Sequence, residues 1–304
     1  MPKQSTNRWA IVVAALAAIL LWTVLARHGR KMHGKEGFET TKKEFKLVRG
    51  PEIYDEFYVS VYDDLVYNGV KNDFEVGTIV NSTKPSQKSI ILDVGSGTGH
   101  HVGEMVSRGL NATGLDLSPA MVKAARKNHP HAKYEHGNVL QANLFGPSSF
   151  THITCLYFTL YYIKDKEQFF KNCYTWLMPG GYLVVHLVDR STFDPVLPAG
   201  SPLAFVDPQN YADERITKTV VEFDTHSYSA DFKLNEVADE GVFIETFREP
   251  GTQIIRKNTH EFHMPSQKRI IQQAREAGFI LVSNTEMGAC QYNSQYLYVL
   301  QKPG

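Results

Sequence analysis

Three kinds of apolar pattern run along this chain, and each predicts a different element. Residues 9–26 are almost uninterruptedly apolar, with Thr23 the only polar member and Trp9 and Trp22 near the ends. As a helix such a stretch spans about 27 Å, close to a bilayer's hydrocarbon core, and predicts a transmembrane helix with tryptophans near the interfaces. Short strand-like runs at 90–94, 112–116, 132–136, 150–158 and 182–188 alternate with helical spacing at 101–108, 121–128 and 165–176. That alternation predicts a doubly wound α/β sheet. Four further β-like runs, at 216–223, 228–234, 242–247 and 253–264, predict an inserted antiparallel β subdomain. A helix at 266–277 and strands at 279–284 and 295–301 follow it.

The first strand leads into Asp93-Val94-Gly95-Ser96-Gly97-Thr98-Gly99. Glycines at alternate positions turn the chain sharply into a helix and let a ligand lie against the backbone. A dinucleotide loop needs its third glycine one residue later, where His100 stands. A phosphate loop needs a Gly-Lys-Ser/Thr triplet, and no lysine is present. Asp93 at the mouth repels phosphates and suits a cationic amino group. Asp116 ends the next strand roughly 20 residues on, where an acid accepts hydrogen bonds from ribose hydroxyls. Ser118 and Pro119 then read as a helix N-cap and first turn.

These residues resemble the class I S-adenosylmethionine-dependent methyltransferases. The likeness rests on the acid-x-Gly-x-Gly-x-Gly loop, on Leu115-Asp116-Leu117-Ser118-Pro119, and on Trp176-Leu177-Met178-Pro179-Gly180-Gly181 before a hydrophobic strand. It implies a Rossmann-like sheet of seven strands, the last antiparallel and hairpinned to its neighbour. It also implies S-adenosyl-L-methionine as methyl donor. The cofactor-binding residues carried over are Asp93, Gly95, Ser96, Gly97, Gly99, Asp116, Leu117, Asn138, Val139, Leu156 and Tyr62. Asn138 stands where the family usually has Asp, and its carbonyl keeps the power to accept from the adenine amino group. Phe150-Thr151 also departs from the usual Phe-Asp. The aromatic stretch at 51–67 has helical spacing; it reads either as a helix packed on the sheet or as a lid in which Tyr58 and Tyr62 cover the cofactor.

Composition changes the picture in a few places. With 32 basic and 32 acidic residues the chain carries no net charge, which argues against broad nucleic-acid binding. Three scattered cysteines make neither a disulfide framework nor a zinc site, and no metal-ligand spacing stands out. Residues 1–8 form a short tail, 27–50 read as a tether rich in Lys, Gly and Glu, and 51–304 form the methyltransferase domain, with the insertion at about 195–264. Arg27, Arg30, Lys31 and Lys35 crowd the C-terminal flank of the apolar helix, which places the catalytic domain on the cytoplasmic side of a membrane.

The predicted chemistry is in-line attack on the sulfonium methyl by a nitrogen or oxygen of an acceptor that the sequence does not identify. Tyr157, Tyr161, His186 and His260 are the catalytic candidates, each with core packing as its alternative. In an alternating strand His260 and His263 face opposite ways. A non-catalytic cofactor-binding adaptor and an aminopropyltransferase are the alternative functions. The intact glycine loop argues against the first, and the lack of an evident acidic polyamine channel against the second.

Overall fold

In chain order the elements are β1 (Lys46–Arg49), α1 (Glu56–Val66), α2 (Gly69–Thr83), β2 (Ile90–Val94), α3 (His100–Ser107), β3 (Asn111–Asp116), α4 (Pro119–Asn128), β4 (Lys133–His136), β5 (Phe150–Cys155), α5 (Thr159–Tyr162), α6 (Lys166–Trp176), β6 (Leu177–Val188), β7 (Lys218–Glu222), β8 (Ser227–Asn235), β9 (Glu240–Arg248), β10 (Ile254–His263), α7 (Gln267–Glu276), β11 (Ile280–Met287) and β12 (Tyr292–Gln301). This computed structural model describes residues 45–200, 209, 212–223, 226–248 and 254–304. The apolar stretch 9–26, residues 1–8, most of the 27–50 tether and part of the inserted loop lie outside the described residues. Among the described residues no helix is long and apolar enough to cross a membrane.

The main sheet has seven strands in the order β11-β12-β6-β5-β2-β3-β4. β4, β3, β2, β5 and β6 are parallel, and β12 lies antiparallel between β6 and β11. The seven-stranded Rossmann-like sheet with an antiparallel last strand is therefore present. Side chains of β2 alternate between its faces. Ile91 joins Val76, Val102, Met105, Val122 and Ala125 on one side. Leu92 and Val94 join the larger core around Phe169, Phe170 and Trp176 on the other. Full burial of each such side chain contributes roughly 1.5–3 kcal/mol. Asp55, Asn68, Ser118, Asp165 and Ser266 each cap a helix by accepting a backbone N–H three residues on.

The second sheet has five strands, β1-β10-β9-β8-β7. Its four inserted strands are antiparallel, but β1 is not part of a tether. It pairs parallel with β10, Lys46 opposite Arg256 and Arg49 opposite Thr259. Three boundaries also differ from the sequence reading. The fourth parallel strand stops at Cys155, because Tyr157 takes a left-handed conformation (φ 51°) and α5 begins at Thr159. β6 starts at Leu177 and carries Pro179-Gly180-Gly181 as an irregularity opposite Phe150 and His152, not as a break before it. Helix α2 has no counterpart in the sequence reading, because its buried face bears Lys71, Asn72 and Glu75 ahead of Val76 and Ile79.

Candidate active site

A cavity of about 560 Å³ opens beyond the carboxyl ends of the parallel strands, where open α/β sheets bind ligands. The chain leaving β2 lines it with Gly95, Ser96 and Gly97, the chain leaving β3 with Asp116, Leu117 and Ser118, and the chain leaving β4 with Asn138 and Val139. Leu156 and Tyr157 line it beyond β5, and Tyr62 of α1 closes over the loop. A Cβ on Gly97 would stand 3.8 Å from the Tyr62 ring, so the loop backbone faces that ring with no side chain between. Gly95 (φ 71°) could not carry a side chain, since a Cβ there would meet Thr159 at 2.3 Å.

Two polar groups stand on this wall. Ser96 lines the cavity, but its hydroxyl is buried without a hydrogen-bond partner and packs against Gly114 of β3, where a Cβ would stand 2.6 Å from it. Asp116 accepts the backbone N–H groups of Gly97 and Ser118, both at 2.8 Å, and has lone pairs left. Burial pushes its carboxyl above the ordinary value, although the backbone donors oppose the rise. This carboxylate suits the ribose of a loop-bound cofactor. The Asn138 carbonyl accepts from Leu140 N–H at 2.9 Å, so one of its lone pairs is already engaged.

Asp93 and Gly99 do not line the cavity. The Asp93 side chain is inside the sheet and accepts the Thr154 hydroxyl at 2.6 Å. Burial pushes its pKa up to about 6. It therefore does not meet a cationic ligand group at the cavity wall. Gly99 is packed against Tyr134, whose hydroxyl donates to its carbonyl.

Helix α1 is clasped to the loop by Asp63, which accepts the Thr98 hydroxyl at 2.6 Å and lies 3.1 Å from His100 Nε2. Burial raises the Asp63 carboxyl, but the His100 and Thr98 contacts outweigh it and hold it below its usual value. Tyr67 stacks on His100 at 3.8 Å. At its other end α1 is held by the inserted sheet: Arg256 donates to both Asp55 oxygens at 2.8 Å. Tyr58 and Tyr62 both line the cavity, as a lid would.

The inserted sheet supplies the facing wall. Alternation on β9 turns Phe243, Glu245 and Phe247 inward, and on β10 it turns Arg256, Asn258, His260 and Phe262 inward. Asn258 is directly opposite Glu245 in the register. Glu245 is fully buried and receives Tyr58 Oη at 3.0 Å, Tyr228 Oη at 2.8 Å, Asn258 Nδ2 at 2.9 Å and His260 Nε2 at 2.7 Å. Burial pushes this carboxyl up, yet His260 and the other donors outweigh it and hold it below the usual value. The other ring nitrogen of His260 is 2.6 Å from the Tyr162 hydroxyl. Tyr162, His260 and Tyr58 line the cavity.

Of the four catalytic candidates, Tyr157 and His260 reach the cavity and Tyr161 and His186 are core residues. The Tyr161 hydroxyl accepts Val188 N–H at 2.8 Å. His186 Nδ1 donates to the Tyr157 carbonyl at 2.7 Å, holding the left-handed turn, and burial drops its pKa to about 4. Residues on both faces of β10, His260 to His263, touch the cavity, which runs past the end of that strand. Sequence reasoning missed Glu245, Tyr162 and a buried cluster in which Glu75 pairs with Lys71 and with His101 at 2.7 Å. Burial raises Glu75, but Lys71 and His101 hold it well below the carboxylate range. Among the described residues no group of three or more His, Cys, Asp or Glu is placed to hold a metal ion.

A Rossmann-like sheet of this strand order, with a ligand cavity at the glycine loop, defines the methyltransferase class of α/β fold. The comparisons agree. Residues 92–185 match the family model described as a methyltransferase domain. The chain is 30% identical over 141 residues to dTDP-4-amino-2,3,4,6-tetradeoxy-D-glucose N,N-dimethyltransferase of Saccharopolyspora spinosa, covering 44% of this chain and 55% of the relative. It is 29% identical over 152 residues to ubiquinone biosynthesis O-methyltransferase of Xanthomonas campestris, covering 49% and 58%. The chain thus spans little more than half the length of these curated relatives. The CcbJ methyltransferase of Streptomyces caelestis shares the fold, with TM-score 0.62 and 18% identity over 83% of this chain and 98% of that one. Residues 92–185 are thus the part of the chain that is similar to a methyltransferase domain.

Proposed function

We infer that the whole protein transfers a methyl group from S-adenosylmethionine to a nitrogen or oxygen of an acceptor held between the glycine loop and the inserted sheet. The observation that carries this reading is the loop wall, where bare backbone at Gly95 and Gly97 and the Asp116 carboxylate open into one cavity. Ser96 and the loop backbone hold the methionine portion, Asp116 holds the ribose, and Asn138 and Val139 hold the adenine. When bound, the cofactor supplies a methyl group on a sulfonium, already a good leaving group. The chain's part is to position the acceptor and exclude water. Tyr62 covers the loop, Asp63 locks that cover to Thr98 and His100, and the aromatic walls keep the site dry. The similar proteins named above act on a sugar amine and in ubiquinone biosynthesis, which supports a nitrogen or oxygen acceptor.

The second part of the reading is a membrane tether. Residues 9–26 are long and apolar enough to span, and the basic flank from Arg27 to Lys35 supports a cytosolic orientation of the domain. Incubating the full chain with methyl-labelled S-adenosylmethionine and, in turn, membrane extract, soluble protein and small amines tests the activity. Label should pass to one of these fractions, and no transfer to any of them sinks the reading. The tether predicts retention on membranes through a carbonate wash; a chain that washes off has no anchor.

A further inference from the structure

The hydrogen bonds of the inserted wall have a direction. Glu245 takes four donors, which fills the roughly four lone-pair sites of a carboxylate and makes it acceptor-only. His260 Nε2 must then carry the proton given to Glu245. In the neutral imidazole Nδ1 is then the acceptor, 2.6 Å from the Tyr162 hydroxyl. Tyr162 then donates to His260, and its oxygen has the Tyr54 hydroxyl as a second neighbour at the cavity both residues line. An orienting carboxylate, a base and a hydroxyl in sequence are the arrangement that moves a proton.

This chain of bonds lies near the glycine loop. The Tyr54 ring is 5.8 Å from Tyr162, 6.2 Å from His260 and 6.4 Å from Tyr62. Tyr62 is the ring that covers Gly97. Two aromatic rings thus separate the relay from the loop. Beyond it Phe193, Leu197, Phe232, Phe243 and Phe262 make the cavity wall mostly apolar, with Lys164, Asp194, Glu261 and His263 among its polar members.

We propose that Tyr162, His260 and Glu245 form a proton relay that takes the proton from a phenolic or enolic hydroxyl of the methyl acceptor, and that the acceptor bears this hydroxyl on an apolar body. The proposal rests on the methyl-transfer reading. A neutral amine attacks with its lone pair and sheds its proton afterwards, whereas a hydroxyl attacks well only as its proton leaves. Glu245 is fully committed to its four donors, so the carboxylate beside His260 is not the partner of an ammonium group. Burial pushes the Tyr162 phenol above its ordinary value, so Tyr162 hands its own proton to His260 as it takes the acceptor's and does not hold a phenolate.

As the acceptor oxygen bonds to the methyl carbon, the carbon–sulfur bond breaks and its electron pair stays on sulfur. The acceptor's proton passes to Tyr162 Oη, and the proton of Tyr162 passes to His260 Nδ1. Glu245 stabilises the resulting imidazolium and acts as a positioning residue. The other titratable groups facing His260 are the phenols of Tyr54, Tyr58 and Tyr162, with Tyr228 reached through Glu245. Along its own strand Arg256 is bound to Asp55, and Glu261 and His263 lie beside the cavity.

The test reads ionisation and needs no turnover. The full chain in detergent micelles, saturated with S-adenosylhomocysteine, is titrated with 2-hexyl-4-nitrophenol, whose phenolate is coloured. The bound probe should ionise about one pH unit or more below the free probe. Tyr162→Phe should remove the shift without changing S-adenosylhomocysteine affinity, and Glu245→Gln should reduce it. Failure of the probe to bind, binding with unshifted ionisation, or a shift that survives Tyr162→Phe overturns the relay; hexylamine displacing the probe and binding in preference points to an amine acceptor and also overturns it. Failure of S-adenosylhomocysteine itself to bind removes the methyl-transfer reading and the relay with it.

Discussion

The two walls of the cavity are made differently. The glycine-loop wall comes from a short piece of chain, and its ligand surface is mostly backbone. Gly95, Ser96 and Gly97 present it directly, and Asp116 arrives from the neighbouring parallel strand, where Leu115 is paired with Val94. The inserted wall is made of side chains from distant positions, with Tyr58, Tyr228, Asn258 and His260 meeting around the Glu245 carboxylate and Tyr162 reaching it through His260. On the first wall a carboxylate keeps lone pairs for a ligand; on the second a carboxylate has none to give. Glu245 therefore holds the wall together, whereas Asp116 serves what binds there.

Substitutions should separate these roles. The largest effect belongs to Glu245→Leu, which strands four buried donors and should destabilise the protein by about 3–5 kcal/mol. Urea unfolding checks it, and a change below about 1 kcal/mol would mean the network is not a structural centre. Asp93→Asn acts with the opposite sign and depends on pH. The folded pKa of Asp93 is raised by burial to about 6. The unfolded chain therefore loses this proton first, and stability falls as pH rises from about 4 to 6 and stays lowered above that. Relative to the unaltered chain, the variant should gain about 2–3 kcal/mol at pH 8 and nothing near pH 4. Equal gains at both would show that Asp93 does not titrate on folding.

Asp116→Ala should weaken cofactor binding by roughly 1.5–3 kcal/mol per charged hydrogen bond lost, while the fold survives. Titration calorimetry on a folded variant decides this, and unchanged affinity removes the ribose assignment. The smallest effect is that of Thr98→Val, which takes one hydrogen bond from Asp63 at the lid. Cofactor affinity should fall by about 1 kcal/mol, with little change in unfolding. An unfolding loss as large as the binding loss would make the clasp structural instead.

The same contrast explains what was legible in the sequence. The loop wall is local, so its spacing, the acid at Asp116 and the strand alternation could be read directly, and the seven strands with an antiparallel last one followed from the resemblance. Asp93 was misplaced because spacing does not reveal which face of β2 a side chain takes; the alternation that sends Val94 to the cavity sends Asp93 into the sheet beside Thr154. β1 was hidden because its partner β10 is about two hundred residues away and a four-residue strand has little pattern of its own. For Glu245 a signal was present. It stands between Phe243 and Phe247 on the inward set of β9, where a lone carboxylate needs partners. What that pattern could not supply is the identity of the partners, since Tyr58, Tyr228, Asn258 and His260 come from other elements.

The most direct measurement on the central claim is a calorimetric titration of the full chain with S-adenosylhomocysteine and, separately, with NAD. Cofactor recognition by the glycine-loop wall predicts saturable one-to-one binding of S-adenosylhomocysteine and no heat from NAD. Binding of NAD without S-adenosylhomocysteine would contradict the account at its root.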